Sequence, residues 1–327
     1  MYVVTGGAGF IGSNLVAELA ARGNEVVVVD WLRQDERWRN LAKHDVMDLV
    51  LPEALPAWLE RHGDKVEAVL HMGANSSTTE TDIDLLVRQN VRPTLDLLAW
   101  CTAHGKRLIY ASSAATYGDG SAGFDDDASA RGLARLLPLN AYGWSKHVVD
   151  RRITRLGASG GALPTQCAGL KFFNVYGPNE YHKGAMQSVI ARSFASVRDG
   201  APLRLFRSGR PDYADGGQLR DFIYVKDCVD VMLWLLANRH VSGLFNVGTG
   251  KARSWLDLAR ALFSAAQQPE RIEFIDMPAN LAGKYQYFTE ARMERLRRAG
   301  YSKPFTTLEA GVGDYVQGYL SRGDPYR

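Results

Sequence analysis

A phenol and an ammonium stand four residues apart in Tyr142-Gly143-Trp144-Ser145-Lys146. On a helix this spacing puts both groups on one face, where the ammonium can hold a phenolate and lower its pKa. Such a pair is a base suited to the proton of an alcohol. The spacing also arises by chance in a chain this rich in tyrosine and lysine, so its position has to give it weight. The strand-like run Leu108 to Tyr110 ends in Ala111-Ser112-Ser113. That places a hydroxyl at the carboxyl end of a strand, the edge at which open sheets bind ligands.

A second motif supplies a place for charge. Thr5-Gly6-Gly7-Ala8-Gly9-Phe10-Ile11-Gly12 sits between the first strand-like run and the first helix-like one. Residues without side chains let a backbone turn sharply and approach a pyrophosphate, while the helix N-terminus presents free N–H groups and positive potential. Asp30 ends the next strand, where an acid that binds a ribose belongs. A dinucleotide site on Gly6, Gly9, Phe10, Ile11, Gly12 and Asp30 is predicted. Bringing a tyrosine from about 10 to about 7 needs on the order of 4 kcal/mol, which a lysine and an oxidised nicotinamide supply jointly. Asp30 alone favours NAD, because a carboxylate repels a 2′-phosphate; Arg33, Arg37 and Arg39 offer the opposite charge. The expectation is NADP with Arg37 as its ligand, NAD remaining the alternative.

The elements that must carry these groups are visible as short β-branched runs between amphipathic segments: Tyr2 to Val4, Val26 to Val29, Ala68 to Leu70, Leu108 to Tyr110 and Ala168 to Phe172. Runs apolar on both faces belong to a parallel sheet covered by helices. Phe10 to Arg22 and Thr94 to His104 are helices closed by Gly23 and Gly105. The alternation predicts an α/β, Rossmann-type doubly wound parallel sheet. From Asn174 onward the chain is richer in Gly, Pro, Arg and aromatics, with a loop over 207–217 and a charged helix from Ala291 to Arg298. The expected division is a dinucleotide-binding domain of 1–173, 218–245 and about 295–327, and a smaller, discontinuous α/β substrate domain of 174–217 and 246–294.

Composition limits the function. The 327 residues are 46% hydrophobic and 23% charged, and 39 Lys+Arg against 36 Asp+Glu leave a net charge of +3. This is too balanced for a nucleic-acid binder. Cys101, Cys167 and Cys228 suit neither a disulfide framework nor a metal site and read as packing residues; no His/Asp/Glu spacing suggests a metal. No leader and no long apolar stretch is evident, so a cytoplasmic protein is expected, with no membrane partner. His71 is expected to pack beside the cofactor, His147 to lie on a helix surface, and Asp125-Asp126-Asp127 to form a solvated loop.

The glycine loop, Ser112-Ser113, and Tyr142 with Lys146 together resemble the extended short-chain dehydrogenase/reductases, which act on nucleotide-activated sugars. Similar segments run along nearly the whole chain: Asn90, Phe172 to Pro178, Arg220 to Asp227, and Phe245 to Gly250. Within that superfamily, Ala111 to Gly118, Pro138-Leu139-Asn140 and His182-Lys183-Gly184 resemble the ADP-heptose 6-epimerase branch. The resemblance implies redox-neutral inversion at C6 of ADP-D-glycero-D-manno-heptose, for lipopolysaccharide inner-core heptose, by an isomerase that assembles as a homo-oligomer, a pentamer. It implies a two-base pair of Tyr142 and Lys183, Ser113 on the carbonyl and Lys146 on the nicotinamide ribose. Further cofactor contacts implied are Trp31, Arg37, Met72, Gly73, Ala74, Asn75, Ser76, Asn90, Val175 and Lys183. Substrate contacts implied are Asn174, Ala185, Arg192, Phe206, Arg207, Ser208, Gly209, Arg220 and Tyr285, with Arg204 and Arg210 adding charge nearby.

Five positions depart from the family pattern. Trp31 stands where a small polar residue is usual, Met72 for an acid, Asn75 for a cysteine, Ala185 for a serine and Arg192 for a histidine. They bear on cofactor preference and on the sugar-nucleotide contacts. A 4,6-dehydratase would show an Asp-Glu pair where Ala114-Ala115 stands. A 4-epimerase shares serine, tyrosine and lysine yet has no need of Lys183. A non-catalytic NADP sensor would have lost one of Ser113, Tyr142 and Lys146.

Overall fold

The computed structural model describes residues 1–278 and 285–327. In chain order the strands are β1 (Tyr2–Thr5), β2 (Val26–Val29), β3 (Asp48–Val50), β4 (Ala68–His71), β5 (Arg107–Ser113), β6 (Gln166–Phe172), β7 (Asn174–Tyr176), β8 (Leu203–Phe206), β9 (Leu219–Arg220), β10 (Phe222–Tyr224), β11 (Gly243–Val247), β12 (Arg253–Ser254) and β13 (Ile272–Ile275). Seven of them form one sheet in the order β11-β6-β5-β4-β1-β2-β3. Every pair in it is parallel. This is the Rossmann-type sheet that the alternation of elements predicts. The order reverses at β1, whose Thr5 pairs with Val29 on one side and His71 on the other. A crevice opens at such a switch point, beyond the carboxyl ends of the strands.

The longer helices are α1 (Phe10–Ala21), α2 (Leu55–His62), α3 (Arg92–Ala103), α4 (Ala141–Ala158), α5 (Val189–Arg198), α6 (Val225–Ala237), α7 (Trp255–Ala265) and α8 (Leu308–Tyr315). The four valines of β2 are all buried because both faces of the sheet are covered. On one face Leu15, Val16 and Leu19 of α1 join Met232 and Leu235 of α6. On the other, Trp58 and Leu59 of α2, Leu97 and Leu98 of α3, and Val149 and Ile153 of α4 pack on Val3, Val27, Val69 and Leu108. A third cluster joins Ile190 and Phe194 of α5 to Leu258 and Leu262 of α7, and Val312 and Tyr315 of α8 pack into it. Beside it lie the parallel pair β8 and β13 and the antiparallel pair β9 and β12. The chain joins the two regions through Asp221, which is fully buried. Its carboxylate accepts from the backbone N–H groups of Thr249 (2.7 Å), Gly250 (2.9 Å) and Ala291 (3.0 Å).

Three expectations need correction. The charged helix runs only from Glu294 to Arg298. The stretch before it is engaged elsewhere, the N–H of Ala291 with Asp221 and the carbonyl of Arg292 with the side-chain amide of Asn246. Asp126 is not solvated: it is 3% exposed and accepts from the N–H of Asn246 at 2.9 Å, while its neighbours Asp125 and Asp127 face water. His147 is not on a surface; it is 5% exposed, with Nδ1 unpartnered. Burial lowers its pKa to about 4, and the charge of Lys171 acts the same way. The three cysteines are buried free thiols, as their spacing suggests. No helix among the described residues is long and apolar enough to cross a membrane.

Burial pushes Asp126 up to about 6, against the hydrogen bond from Asn246. A carboxyl with a raised folded pKa binds its proton more tightly folded than unfolded, so its contribution to stability is present at low pH and is lost as pH rises from about 4 to about 6. Asp126→Asn therefore flattens the stability profile across that window by on the order of 1–3 kcal/mol. Denaturant midpoints between pH 4 and 7 check this, and parallel profiles for variant and parent would contradict it.

Candidate active site

The loop from Thr5 to Gly12 is shaped by backbone contact. Gly6 has φ +65°, and a Cβ there would lie 2.5 Å from the nitrogen of Gly73; a Cβ on Gly12 would lie 2.1 Å from the carbonyl of Gly6. The turns after β1 and β4 thus lie back to back, and Gly9 caps α1 with no side-chain bond to its first-turn N–H groups. At the end of β2, Asp30 accepts from the N–H groups of Ala8 (3.0 Å) and Trp31 (2.8 Å). Burial raises its pKa while these bonds and Arg37 oppose the rise. Arg37 holds Asp35 through two 2.8 Å bonds, and its Nη1 lies 4.0 Å from Asp30. Of the three candidate arginines only Arg37 reaches that carboxylate among the described ion pairs; Arg39 instead pairs with Glu36. Trp31 donates its indole N–H to Glu53.

The opposite wall follows β4. Met72 donates its N–H to Thr5, and Asn75 donates its own to Asn90 at 2.8 Å. Asn90 returns a bond to the carbonyl of Asn75 and another to Ser145 on α4, so it ties this wall to the helix carrying Tyr142. Ala74 and Ser76 face solvent at the rim, and Ile11 and Val175 are partly buried. His71 is closed in between Thr5 (2.6 Å) and Thr94 (2.9 Å), and burial lowers its pKa to about 3, so it stays neutral. A backbone cradle at an uncapped helix start, with a buried acid one strand away, fits a nicotinamide dinucleotide.

Tyr142 reaches the crevice through two local devices. Asn140 caps α4 by accepting from the N–H of Gly143 at 2.8 Å. Gly143 in turn has no room for a side chain, since a Cβ would stand 2.6 Å from the carbonyl of Ala115. The first turn of α4 therefore lies on the turn after β5, which brings Tyr142 beside Ser113, whose hydroxyl favours the phenolate. The two serines part company because side chains alternate along a strand. Ser113 is partly exposed at the crevice; Ser112 is 3% exposed and points into the protein.

The expected effect of Lys146 on the phenol is not what this geometry gives. Lys146 donates to the carbonyl of Ala111 at 2.8 Å, drawn down onto β5. Burial raises the pKa of Tyr142, opposed by Ser113. Burial also lowers Lys146 to about 8, opposed by Asp150. Beneath the pair, Asp150 accepts from Ser112 at 2.6 Å and Tyr110 at 3.2 Å, and Lys171 stands 3.1 Å from it with both side chains fully buried. Lys171 also donates to Thr116, which donates to the carbonyl of Ser113.

Lys183 comes to the crevice from the second region. Its ammonium lies 4.7 Å from the ring centre of Phe10 at the start of α1 and 4.0 Å from Glu180. The residues expected to hold substrate fall into two groups. Ala185 and Arg192 touch near Lys183, Arg192 donating to the carbonyl of Ala185 at 3.4 Å. Asn174 heads β7, and its N–H bonds to Asp221. Farther out, Arg207, Ser208, Gly209 and Tyr285 line a cavity of about 440 Å³. Arg220 lies over Tyr285 at 5.1 Å, and Phe206 meets the edge of that ring at 6.2 Å. Arg204 is paired with Glu273 on the exposed edge of β8.

The family model for the NAD dependent epimerase/dehydratase family matches residues 2–248. The chain belongs to that family. A relative from Nitratidesulfovibrio vulgaris, named ADP-L-glycero-D-manno-heptose-6-epimerase, is 54% identical over 330 residues and covers 100% of each chain. Among solved structures, the Helicobacter pylori ADP-L-glycero-D-manno-heptose-6-epimerase superposes with a TM-score of 0.79 at 26% identity, covering 98% of this chain and 96% of that one. The Thermus thermophilus UDP-glucose 4-epimerase in complex with NAD gives 0.73 at 26%, covering 95% and 96%.

For a member of the epimerase/dehydratase family, the outer cavity carries residues that sequence reasoning missed: Asp276, Met277 and Tyr287 beside the expected Arg210. Tyr287 receives the N–H of Gly209 and lies 5.1 Å from the guanidinium of Arg210. Its two-residue spacing from Tyr285 was the available signal. Asp150 and Lys171 had none beyond their positions in α4 and β6.

Gly143→Ala forces α4 away from Ala115 and takes Tyr142 off Ser113. Turnover falls at least about tenfold, with a loss of about 1–3 kcal/mol in stability from overpacking. Steady-state rates beside chemical denaturation check this, and a parental rate would show that the contact does not set the tyrosine.

Proposed function

We propose that the protein interconverts ADP-D-glycero-D-manno-heptose and ADP-L-glycero-D-manno-heptose by transient oxidation at C6. What supports this reading is that the chain carries two candidate proton carriers in segments that follow the carboxyl ends of its strands. Tyr142 stands in the first turn of α4 beside Ser113 at the end of β5, and Lys183 lies 4.7 Å from the ring centre of Phe10 at the start of α1. Inversion through a ketone requires hydrogen to leave one face of a carbon and return to the other, and a second acid–base group serves that reversal. When bound, a nicotinamide dinucleotide supplies the hydride acceptor that becomes the donor on the return, so no electrons are consumed overall.

The chain handles the proton. As the C–H and O–H bonds at C6 break to give the 6-ketone, one of Tyr142 and Lys183 takes the hydroxyl proton. After the ketone presents its other face and the C–H bond re-forms there, the other group protonates the oxygen. Ser113 orients that oxygen, and Lys146 holds the nicotinamide ribose. The glycine loop, Asp30, Trp31, Arg37, Met72 to Ser76, Asn90 and Val175 hold the cofactor. The nucleotide diphosphate lies along Asn174, Ala185 and Arg192 toward Phe206 to Gly209, Arg220 and Tyr285. In this reading residues 1–173, 218–245 and about 295–327 form the cofactor domain and 174–217 and 246–294 the substrate domain, with Val175 reaching the cofactor from the second. NADP is the cofactor of this reading because Arg37 stands beside Asp30. A cytoplasmic homo-pentamer belongs to it as well, with sedimentation mass as the test of assembly.

Purified protein given ADP-D-glycero-D-manno-heptose and UDP-galactose in parallel, without added reductant, inverts C6 of the first and leaves C4 of the second unchanged by NMR. Inversion only at C4 would replace the proposal with a 4-epimerase. Lys183→Met lowers C6 inversion by roughly 100-fold or more and retains cofactor; near-parental turnover would remove Lys183 from the pair. Arg37→Ala weakens NADP binding about tenfold or more with little effect on NAD. Equal losses for the two dinucleotides would show that Arg37 does not read the 2′-phosphate.

A further inference from the structure

Glu180 precedes Lys183 by three residues and belongs to none of the groups above. Its side chain has no exposed surface. One carboxylate oxygen accepts from the hydroxyl of Ser188 at 2.7 Å and the N–H of Gly177 at 3.3 Å; the other accepts from the N–H of Ser188 at 2.5 Å. These neutral donors fix the carboxylate and fold the segment between Gly177 and Ser188 around it. Among the described residues, the one cation within 4.0 Å of Glu180 is Lys183. A buried carboxylate held by neutral donors still projects its charge, and here that charge faces the lysine.

The separation matters as much as the pairing. At 4.0 Å the ammonium feels the carboxylate without a hydrogen bond to it, and it lies over the negative face of Phe10. A bond of 2.8 Å would tie up an N–H that a proton carrier must offer to substrate.

We propose that Glu180 is the positioning residue for Lys183, holding the lysine over the glycine loop and keeping a proton on the Tyr142–Lys183 pair while leaving its N–H groups free for the sugar oxygen. This inference rests on the role proposed above for Lys183. Burial lowers the pKa of Lys183 and Glu180 opposes it. The other titratable groups nearby do not share the work. His182, faced by Arg37 and Asp35 from the loop after β2, is lowered to about 4 by burial and stays neutral. Tyr315 of α8 and Tyr181, both close to Glu180, are raised by burial and stay neutral too. Lys146 titrates near 8, but its partner is Asp150.

The test is the pH dependence of C6 inversion by cofactor-loaded Glu180→Gln, Glu180→Asp and Ser188→Ala, beside Lys183→Met. Removing a negative charge weakens the hold of the pair on its proton, so the basic limb of the E180Q profile moves to lower pH by about half a unit or more. Its kcat falls roughly tenfold to hundredfold while KM changes less than about threefold. S188A removes a bond to the same carboxylate without removing its charge and leaves the limb in place. An E180Q limb that coincides with the parental one overturns the inference whatever happens to kcat, because a merely structural loss has no reason to move it. Should E180Q fail to fold, E180D is read instead: it draws the carboxylate back from Lys183 by one methylene, so the limb moves in the same direction by a smaller amount when the inference holds and is unmoved when it fails. Full activity in K183M would instead sink the two-base reading itself. An inactive K183M with an unmoved E180Q limb sinks the role of Glu180 alone.

Discussion

Asp150 is a carboxylate with almost no exposed surface on which three side chains from two neighbouring strands converge. Burying such a charge costs several kcal/mol unless partners and hydrogen bonds compensate it, and removing one partner leaves the rest uncompensated. The arrangement therefore has little tolerance for displacement. α4 is locked to β5 through Ser112 and Tyr110, and to β6 through Lys171. Because Lys146 and Tyr142 lie one and two turns before Asp150 on that helix, the lock fixes where the phenol meets Ser113. Thr116 extends it to the turn on which Gly143 rests.

The location of the crevice has a separate origin. The strand order changes direction at β1, and a crevice forms beyond the carboxyl ends of the strands at such a point. Gly6 lets the loop after β1 approach the one after β4 at backbone distance, and Gly12 lets the start of α1 close onto its own loop. The second region is built from segments that leave the sheet after β6, with Asp221 binding the backbone of Thr249, Gly250 and Ala291. In the proposed site, separate stretches of the chain thus supply the groups: strand ends and α4 carry Ser113, Tyr142 and Lys146, while the segment after β7 carries Lys183.

Much of this was legible in the residues. Uninterrupted valines identified β2 as a strand covered on both faces, and the glycine loop identified the turn between β1 and α1. Tyr142 and Ser113 could be paired because each stood at the end of a recognisable element. What escaped depends on contacts distant in sequence. Asp126 looks like a solvated acid until Asn246 supplies an N–H 120 residues later. His147 lies on an outwardly polar stretch of α4 but is covered where the helix meets the buried Lys171 and Asp150. The helix expected from Ala291 starts late, the stretch before it being engaged by Asp221 and Asn246. The ammonium of Lys146 has the right spacing to serve the phenol, yet a carbonyl of β5 competes for it, and periodicity contains no information about that competition.

In the NADP reading proposed above, the grip of Arg37 on Asp35 gives the 2′-phosphate an internal competitor. An incoming dianion does not meet a bare guanidinium; it has to share or displace a carboxylate two residues away. Discrimination between the two dinucleotides is then a difference between two ion pairs, each sensitive to salt, and evolution can retune it at Asp35 without touching the arginine or the ribose-facing acid.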